Sequence, residues 1–233
     1  MIPLAVSEAP QRLMPLPTPR TPWSGLAGTN LGVVTPRRQQ ILDTAARLFA
    51  ERGFHGVSVV ELGAACGISG PALYKHFESK DAMLAEMLVE ISEELLRVGR
   101  ERSSAAASAR EALEALVAWH VDFALAHKPL IVLQDRDWAS LPDEARERVR
   151  ALQRRYVALW ADRLCEVHAD LSPRHARAMA HAAFGLINST PRSAVLPDEE
   201  TRALLTAMAL RSLGVAPPLG GVRACESRDQ ADH

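Results

Sequence analysis

Long apolar runs are missing from this chain of 233 residues, since none approaches the ~18 residues that a membrane-spanning helix requires. The first residues also lack the basic head and continuous apolar segment of a secretory signal. The three cysteines, Cys66, Cys165 and Cys225, are too far apart for a disulfide framework or a paired zinc spacing. We therefore expect a cytoplasmic protein with reduced thiols and no membrane partner.

The common catalytic motifs are missing as well. The sequence contains no G-x-G-x-x-G, no G-x-x-x-x-G-K-[ST], no G-x-S-x-G and no H-E-x-x-H. His120 and His127 are seven residues apart, but no carboxylate or cysteine lies at ligand spacing beside them. The sequence predicts neither an enzyme, nor a cofactor, nor a metal site.

An overall excess of one charge is missing, because the net charge of the chain is −1. The positive and negative residues are nevertheless distributed unevenly along the sequence. Residues 35–80 hold six Lys/Arg against four Asp/Glu, whereas residues 81–233 hold nineteen against twenty-three. The basic excess in the first of these segments is a mild indication of contact with a polyanion.

The positions of the prolines and of the apolar stripes divide the chain into four segments. Residues 1–34 carry six prolines, which predicts a disordered tail, and residues 217–233 are predicted to be a second tail. Residues 35–80 and 81–216 are predicted to form two helical domains. Apolar stripes at helical spacing mark the larger domain in 82–98, 109–126, 143–167, 174–188 and 198–213.

The smaller domain has the start and stop signals of three short helices and the start signal of a fourth. Thr35 and Pro36 begin the first helix, which ends at Gly53. Ser58 and Glu61 form a capping box for the second, which ends at Gly67. Ser69 and Ser79 are the predicted N-caps of the third and fourth helices. Two short helices joined by a tight turn, the second exposing basic and hydroxyl groups, indicate a helix-turn-helix.

Residues 35–81 resemble the DNA-binding domain of the TetR family of bacterial transcriptional regulators. The resemblance rests on ILDTAARLFAERGF, SVVELGAACGIS and PALYKHFESKDAML, which follow the family's order and spacing without a gap. It covers about a fifth of the chain. Two positions depart from the family pattern: Val57 replaces a polar residue, and Gly63 replaces alanine, which we expect to loosen the second helix by ~1 kcal/mol.

The resemblance, together with the chemistry of the side chains, implies contacts to double-stranded operator DNA. The base-reading candidates are Gly70, Pro71, Ala72 and Lys75, and the phosphate-binding candidates are Thr35, Arg37, Arg38, Ser58, Tyr74, His76 and Lys80. In the alternative interpretation, Tyr74 and His76 only cap a small three-helix core.

Family members dimerise through their last two long helices, which implies a homodimer through 173–188 and 198–213. Ala178, Ala182 and Ala183 beside Phe184 and Ile187 would allow another helix to approach closely. Ordinary packing within one chain is the alternative. The fold class expected from these observations is all-α, with a three-helix helix-turn-helix domain followed by a larger helical domain for ligand binding and dimerisation.

Aromatic and polar side chains in the larger domain predict a pocket for a small-molecule effector. The candidates for ligand contact are Trp119, His120, Phe123, Arg136, Trp138, Tyr156, Trp160, Arg163, His181 and Asn188. QDRDWASLP and FGLINSTPRSA are similar to a subset of TetR-like regulators of lipid and acyl-CoA metabolism. That similarity implies an apolar, anionic effector such as an acyl-CoA or fatty acid, with Arg136, Arg163 or Arg192 at its anionic end. The alternative function is an architectural DNA-binding protein without an effector.

Overall fold

The computed structural model of the protein describes residues 36–193 and 195–215. The predicted tails 1–34 and 217–233 and the candidate Thr35 lie outside these residues. Helices account for all the regular structure of the described part, which confirms the all-α fold class. The α-helices are α1 Pro36–Arg52, α2 Val59–Ala65, α3 Gly70–Leu73, α4 Lys80–Ala105, α5 Ala109–Ala126, α6 Lys128–Arg136, α7 Asp143–Val167, α8 Pro173–Ile187, α9 Thr190–Ser193 and α10 Asp198–Ser212.

The predicted start and stop signals operate as expected in the first three helices, with one exception. Ser58 and Glu61 form a complete capping box at α2, and Gly53 and Gly67 adopt the left-handed conformation that ends α1 and α2. Ser69 occupies the N-cap of α3, but its side chain makes no capping hydrogen bond. A single α-helical turn at α3 therefore depends on its contacts with α2.

The predicted apolar stripes leave out the segment between 126 and 143, but most of this segment is the helix α6. Pro129 falls in the first turn of α6, where a missing backbone N–H leaves no hydrogen bond unmade, so it begins the helix rather than preventing it. The chain bends by 85° between α5 and α6. No described helix is by itself long and apolar enough to cross a membrane, and this bent pair meets only the length and composition criteria together.

Two buried clusters form the core and share the long helix α4. Phe49, Phe54, Leu62 and Leu84 belong to the cluster that holds α1, α2 and α3 against the beginning of α4. The second cluster joins the end of α4 to α5, α7, α8 and α10 around the fully buried Trp160. Because α6 contributes Leu133 to the first cluster and Ile131 to the second, it lies between the two halves of the molecule.

Candidate DNA interface and effector cavity

Close backbone approach fixes the position of α3 against α2. A Cβ atom on Gly63 would lie 2.8 Å from the Gly70 nitrogen and 2.9 Å from the Ile68 oxygen, and the Ile68 N–H donates to the Gly63 carbonyl over 2.9 Å. The loosening of α2 by glycine at position 63 stays a prediction, and the structure adds a packing role at the same position. Glycine is the residue that lets the turn and α3 pack this closely.

The turn that follows α3 presents the most exposed side chains of the predicted DNA interface. Tyr74 is 56% exposed and Lys75 is exposed, while His76 is half-buried with its ring 6.5 Å from that of Phe77. The exposure of Tyr74 disagrees with the interpretation that it caps a small core. Lys75 has no hydrogen-bond or ion-pair partner among the described residues.

At the start of α3, the predicted base-reading residues differ in their placement. Pro71 is exposed and Ala72 is half-buried, but Gly70 is buried against Val59 and Val60 of α2. The base-reading role predicted for Gly70 does not fit this position, because its backbone packs on a neighbouring helix. Val60 is 71% exposed beside it and was missed, since helical periodicity does not reveal which face of α2 remains open.

Three of the predicted phosphate-binding cations bind groups within the protein. Arg37 donates to the carbonyl of Cys66, and Arg38 pairs with Glu86 of α4 and lies over the Phe77 ring. The ammonium of Lys80 donates to the carbonyls of Phe54 and Val57 over 2.8 and 3.0 Å. These contacts hold the smaller domain together, and they oppose the direct phosphate contact predicted for Lys80.

The Ser58 hydroxyl is likewise occupied by the capping box. It accepts from the Glu61 N–H over 3.2 Å and donates to the Glu61 carboxylate over 2.8 Å. The hydrogen bond from the Ser58 backbone is the largest cause of a lowered pKa at Glu61. Ser58 is therefore better suited to positioning α2 than to binding a phosphate.

A cavity of about 260 Å³ opens between α4, α5, α6, α7 and α8. Five of the ten ligand candidates line it: His120, Phe123, Tyr156, His181 and Asn188. Its wall also contains Ser92, Gln134, Gln153 and Phe184. These four were absent from the predicted set, because residue pattern alone does not show which polar side chains turn towards a gap between helices.

Buried polar groups on one side of the cavity are uncharged. The His120 Nε2 atom lies 3.2 Å from the Asn188 Oδ1 atom. Burial lowers the pKa of His120 to about 4, although the hydrogen bond to Asn188 acts in the opposite direction. Burial also raises the pKa of Tyr156, and the nearby Trp160 indole only partly offsets that effect. His120 is therefore neutral at physiological pH, and Tyr156 keeps its proton.

The other five ligand candidates lie away from the lining. Trp160 is fully buried behind it, with its ring centroid 5.9 Å from that of His120, and Trp119 donates to the Leu95 carbonyl. Trp138 lies under the guanidinium of Arg150, and Arg163 pairs with Glu166. Arg136 binds the Phe49 and Ala50 carbonyls and the Asp137 carboxylate. The predicted ligand contacts of these five residues do not fit their positions.

Arg136 connects α6 to the DNA-binding half of the molecule. Its guanidinium donates to the carbonyls of Phe49 and Ala50 at the end of α1 and to the Asp137 carboxylate. The buried Asp137 also accepts from the Phe54 N–H over 3.4 Å. Because Gln134 lines the cavity only two residues earlier, the cavity wall and α1 are joined through one short helix.

Two regions of this chain match known protein families. The family described as "Bacterial regulatory proteins, tetR family" matches residues 41–87, and "Tetracyclin repressor-like, C-terminal domain" matches residues 106–192. The chain belongs to the TetR family. The first range contains the helix-turn-helix built from α2 and α3, so the protein is a helix-turn-helix, DNA-binding transcriptional regulator. TetR regulators bind operator DNA and function as dimers.

Individual TetR-type relatives agree with this assignment. The HTH-type transcriptional repressor KstR2 of Rhodococcus jostii (strain RHA1) is 32% identical over 145 residues, which are 62% of this chain and 67% of that protein. The fatty acid metabolism regulator protein of Bacillus subtilis (strain 168) is 23% identical over 171 residues, covering 71% and 87%. The crystal structure of FadR from Bacillus subtilis in complex with stearoyl-CoA has the same fold, with a TM-score of 0.60 and 20% identity over 76% of this chain and 95% of that one.

Proposed function

We propose that this TetR-family regulator is a repressor that binds a partly palindromic operator as a homodimer and releases it when a small apolar molecule occupies the cavity. The observation that carries the proposal is the connection through α6. Leu130, Ile131 and Gln134 of this helix line the cavity, and Arg136 at its C-terminal end donates hydrogen bonds to the carbonyls at the end of α1. A change in the cavity therefore reaches the helix-turn-helix through direct contacts.

On the DNA side, Pro71, Ala72 and Lys75 are the base-reading groups, and Tyr74 and His76 hold phosphates. Lys75 is the strongest candidate for direct readout, because an exposed lysine ammonium donates to guanine O6 and N7 in the major groove. Exposed Val60 is added to this surface, since an apolar side chain can contact a thymine methyl group. The helices that carry these groups are held in place by Arg37, Arg38, Ser58 and Lys80.

The dimer forms through α8 and α10. Ala178, Ala182 and Gly185 share an exposed face of α8, and Leu204 and Met208 of α10 are 48% and 42% exposed. Small residues let a second helix approach closely, and exposed leucine and methionine gain from burial. Ala183 and Ile187, which were grouped with this face from the sequence, are buried inside the chain.

The effector is an acyl derivative such as an acyl-CoA, or another compact apolar molecule. The apolar lining with a few polar groups is suited to this class of ligand. The relative that regulates fatty acid metabolism and the neighbour whose structure holds stearoyl-CoA support a lipid-derived effector. A cavity of this size also opposes the alternative of an architectural DNA-binding protein, for which a solid second domain is sufficient.

The experiment combines DNA selection with ligand screening. Operator duplexes are selected from a random pool, and a palindrome with half-sites about 34–36 Å apart, or a multiple of that distance, is expected. Acyl-CoAs, fatty acids and aromatic acids are then screened by thermal shift, and each stabilising compound is tested for operator release. Operator DNA must weaken the binding of a true effector by the same factor as the effector weakens operator binding. A stabilising ligand that leaves operator affinity unchanged would instead favour the architectural alternative.

A further inference from the structure

The cavity wall contains polar groups but no permanent charge. Its polar side chains are Ser92, His120, Gln134, Gln153, Tyr156, His181 and Asn188, and none of the lining residues is Lys, Arg, Asp or Glu. An anion that enters such a space leaves water without gaining a counter-charge, which is strongly unfavourable. The lining itself therefore selects against a charged group.

The three arginines predicted to hold an anionic end already bind other groups. Arg136 binds two carbonyls of α1 and Asp137, Arg163 pairs with Glu166, and Arg192 pairs with Asp135. Arg102 lies against the Trp119 ring, 5.1 Å from its centroid, and exerts only the smallest of the effects on the pKa of Tyr156. None of these four arginines belongs to the cavity lining.

We propose, on the basis of the function proposed above, that the part of the effector inside the cavity is uncharged: an apolar group ending in an ester, thioester, amide or hydroxyl that pairs with His120, Asn188 or the glutamine amides. The ionised carboxylate form of a free fatty acid is excluded from the cavity. An acyl-CoA is compatible only with its thioester carbonyl inside and its phosphates outside.

The volume of the cavity limits the size of this group. A cavity of about 150 Å³ binds benzene, with six carbon atoms, so about 260 Å³ holds on the order of ten non-hydrogen atoms. A ten-carbon chain is therefore a suitable probe, and its polar end can be varied while the apolar part is kept constant.

The test compares decanamide, 1-decanol and decanoic acid by isothermal titration calorimetry with the full chain. A carboxylic acid with a pKa near that of glutamate, about 4.3, is neutral in only about one molecule in a thousand at pH 7.3. We therefore expect decanoic acid to bind at least 100-fold more weakly than decanamide or 1-decanol at pH 7.3. Acid and amide binding with equal affinity would overturn the proposal.

The pH dependence gives a second readout. Between pH 7.3 and 5.5, the affinity for decanoic acid should rise by about tenfold per pH unit, because only the protonated acid enters. The groups of the protein that could contribute are Glu90, Glu94, His120, Tyr156 and His181. Decanamide at the same pH values controls for them, since it does not titrate. An acid affinity that follows the amide at every pH contradicts the proposal.

A gain of function tests the role of the lining directly. Gln153→Arg places a cation in the wall, and Gln153→Met is the matched uncharged control. We expect the arginine variant to bind decanoic acid at least tenfold more tightly than the methionine variant does, and an unchanged acid affinity speaks against the proposed charge selection.

If decanoic acid and decanamide bind with equal affinity and both release the operator, the proposed selection against charge fails while the proposed effector function stands. If none of the probes binds, the effector function of the cavity fails with it.

Discussion

Arg136→Met tests the connection between the effector cavity and the DNA-binding half. The substitution removes the donor to the carbonyls of Phe49 and Ala50 and leaves the Asp137 carboxylate, whose side chain is only 8% exposed, without its cation. Breaking a fully buried ion pair costs about 3–5 kcal/mol. Because the Arg136 side chain is 41% exposed, water replaces part of the loss, and we expect the free energy of unfolding to fall by about 1–3 kcal/mol.

Chemical denaturation measures this loss, and a double mutant identifies its origin. Asp137→Asn removes the buried charge while keeping the shape of the side chain. The double variant Arg136→Met/Asp137→Asn should therefore be more stable than the sum of the two single effects predicts, by about 1 kcal/mol. Arg154→Met is the control, because its pair with Glu147 is exposed to solvent and contributes little to stability. Additive effects of the two single substitutions, or equal losses of unfolding free energy at positions 136 and 154, would refute the stabilising role of the Arg136–Asp137 pair.

The same variant has a functional readout. Effector coupling of about 1–3 kcal/mol corresponds to a change of about 5- to 150-fold in operator affinity. If α6 transmits the effect, Arg136→Met reduces this ratio while the effector still binds the cavity. An unchanged ratio together with unchanged effector affinity would mean that α4 alone connects the two sites.

Lys75→Ala should weaken binding to the selected operator by about 1–3 kcal/mol and flatten the preference at one base pair per half-site, as scanned by position-specific binding; preserved preference at every position would assign Lys75 to phosphate. Gly63→Ala should destabilise the protein and weaken operator binding in gel shifts, because its Cβ would lie 2.8 Å from the Gly70 nitrogen of α3 unless the two helices shift apart; unchanged stability and operator affinity would contradict the close packing. Ala182→Glu should give monomers in light scattering, whereas Ser104→Glu at the exposed end of α4 leaves the dimer intact, and a dimeric Ala182→Glu variant excludes this face. Glu90→Gln should raise the free energy of unfolding at pH 8, by about 1 kcal/mol after allowance for partial exposure, and the gain should vanish below about pH 4.5, because the raised pKa of Glu90 penalises only the ionised form; a gain that is independent of pH would show that ionisation is not its cause.

Local signals allowed the smaller domain to be predicted from the sequence. The capping box at Ser58 and Glu61 and the stops at Gly53 and Gly67 act within a few residues, so the sequence contains all the interacting partners. The bounds of α5 and α7 were predicted for the same reason. The helix α6 was missed because its segment lies outside the predicted apolar stripes, although Pro129 is compatible with the first turn of a helix.

Contacts between distant residues explain what the sequence did not reveal. The carbonyls that bind Lys80 lie 26 and 23 residues earlier in the chain, and those that bind Arg136 lie 87 and 86 residues earlier. Any backbone carbonyl is a possible acceptor, so residue type gives no indication of these pairs. A surface cation in a DNA-binding domain is therefore easily assigned to phosphate when its real partner is the fold itself.

The positions of α4 and α6 decide which ligands can act as effectors. A ligand that binds both conformations of the protein equally leaves operator affinity unchanged, however tightly it binds. The α7 and α8 walls of the cavity belong to the second core cluster, whereas α6 contributes Leu133 to the cluster that surrounds α1. Differential affinity must then come from contacts with α4 or α6, because these two helices of the wall are bonded directly to α1, α4 through the Glu86–Arg38 pair and α6 through Arg136. The uncharged lining determines which chemical group enters, and contact with α4 or α6 determines whether its entry is transmitted to the operator.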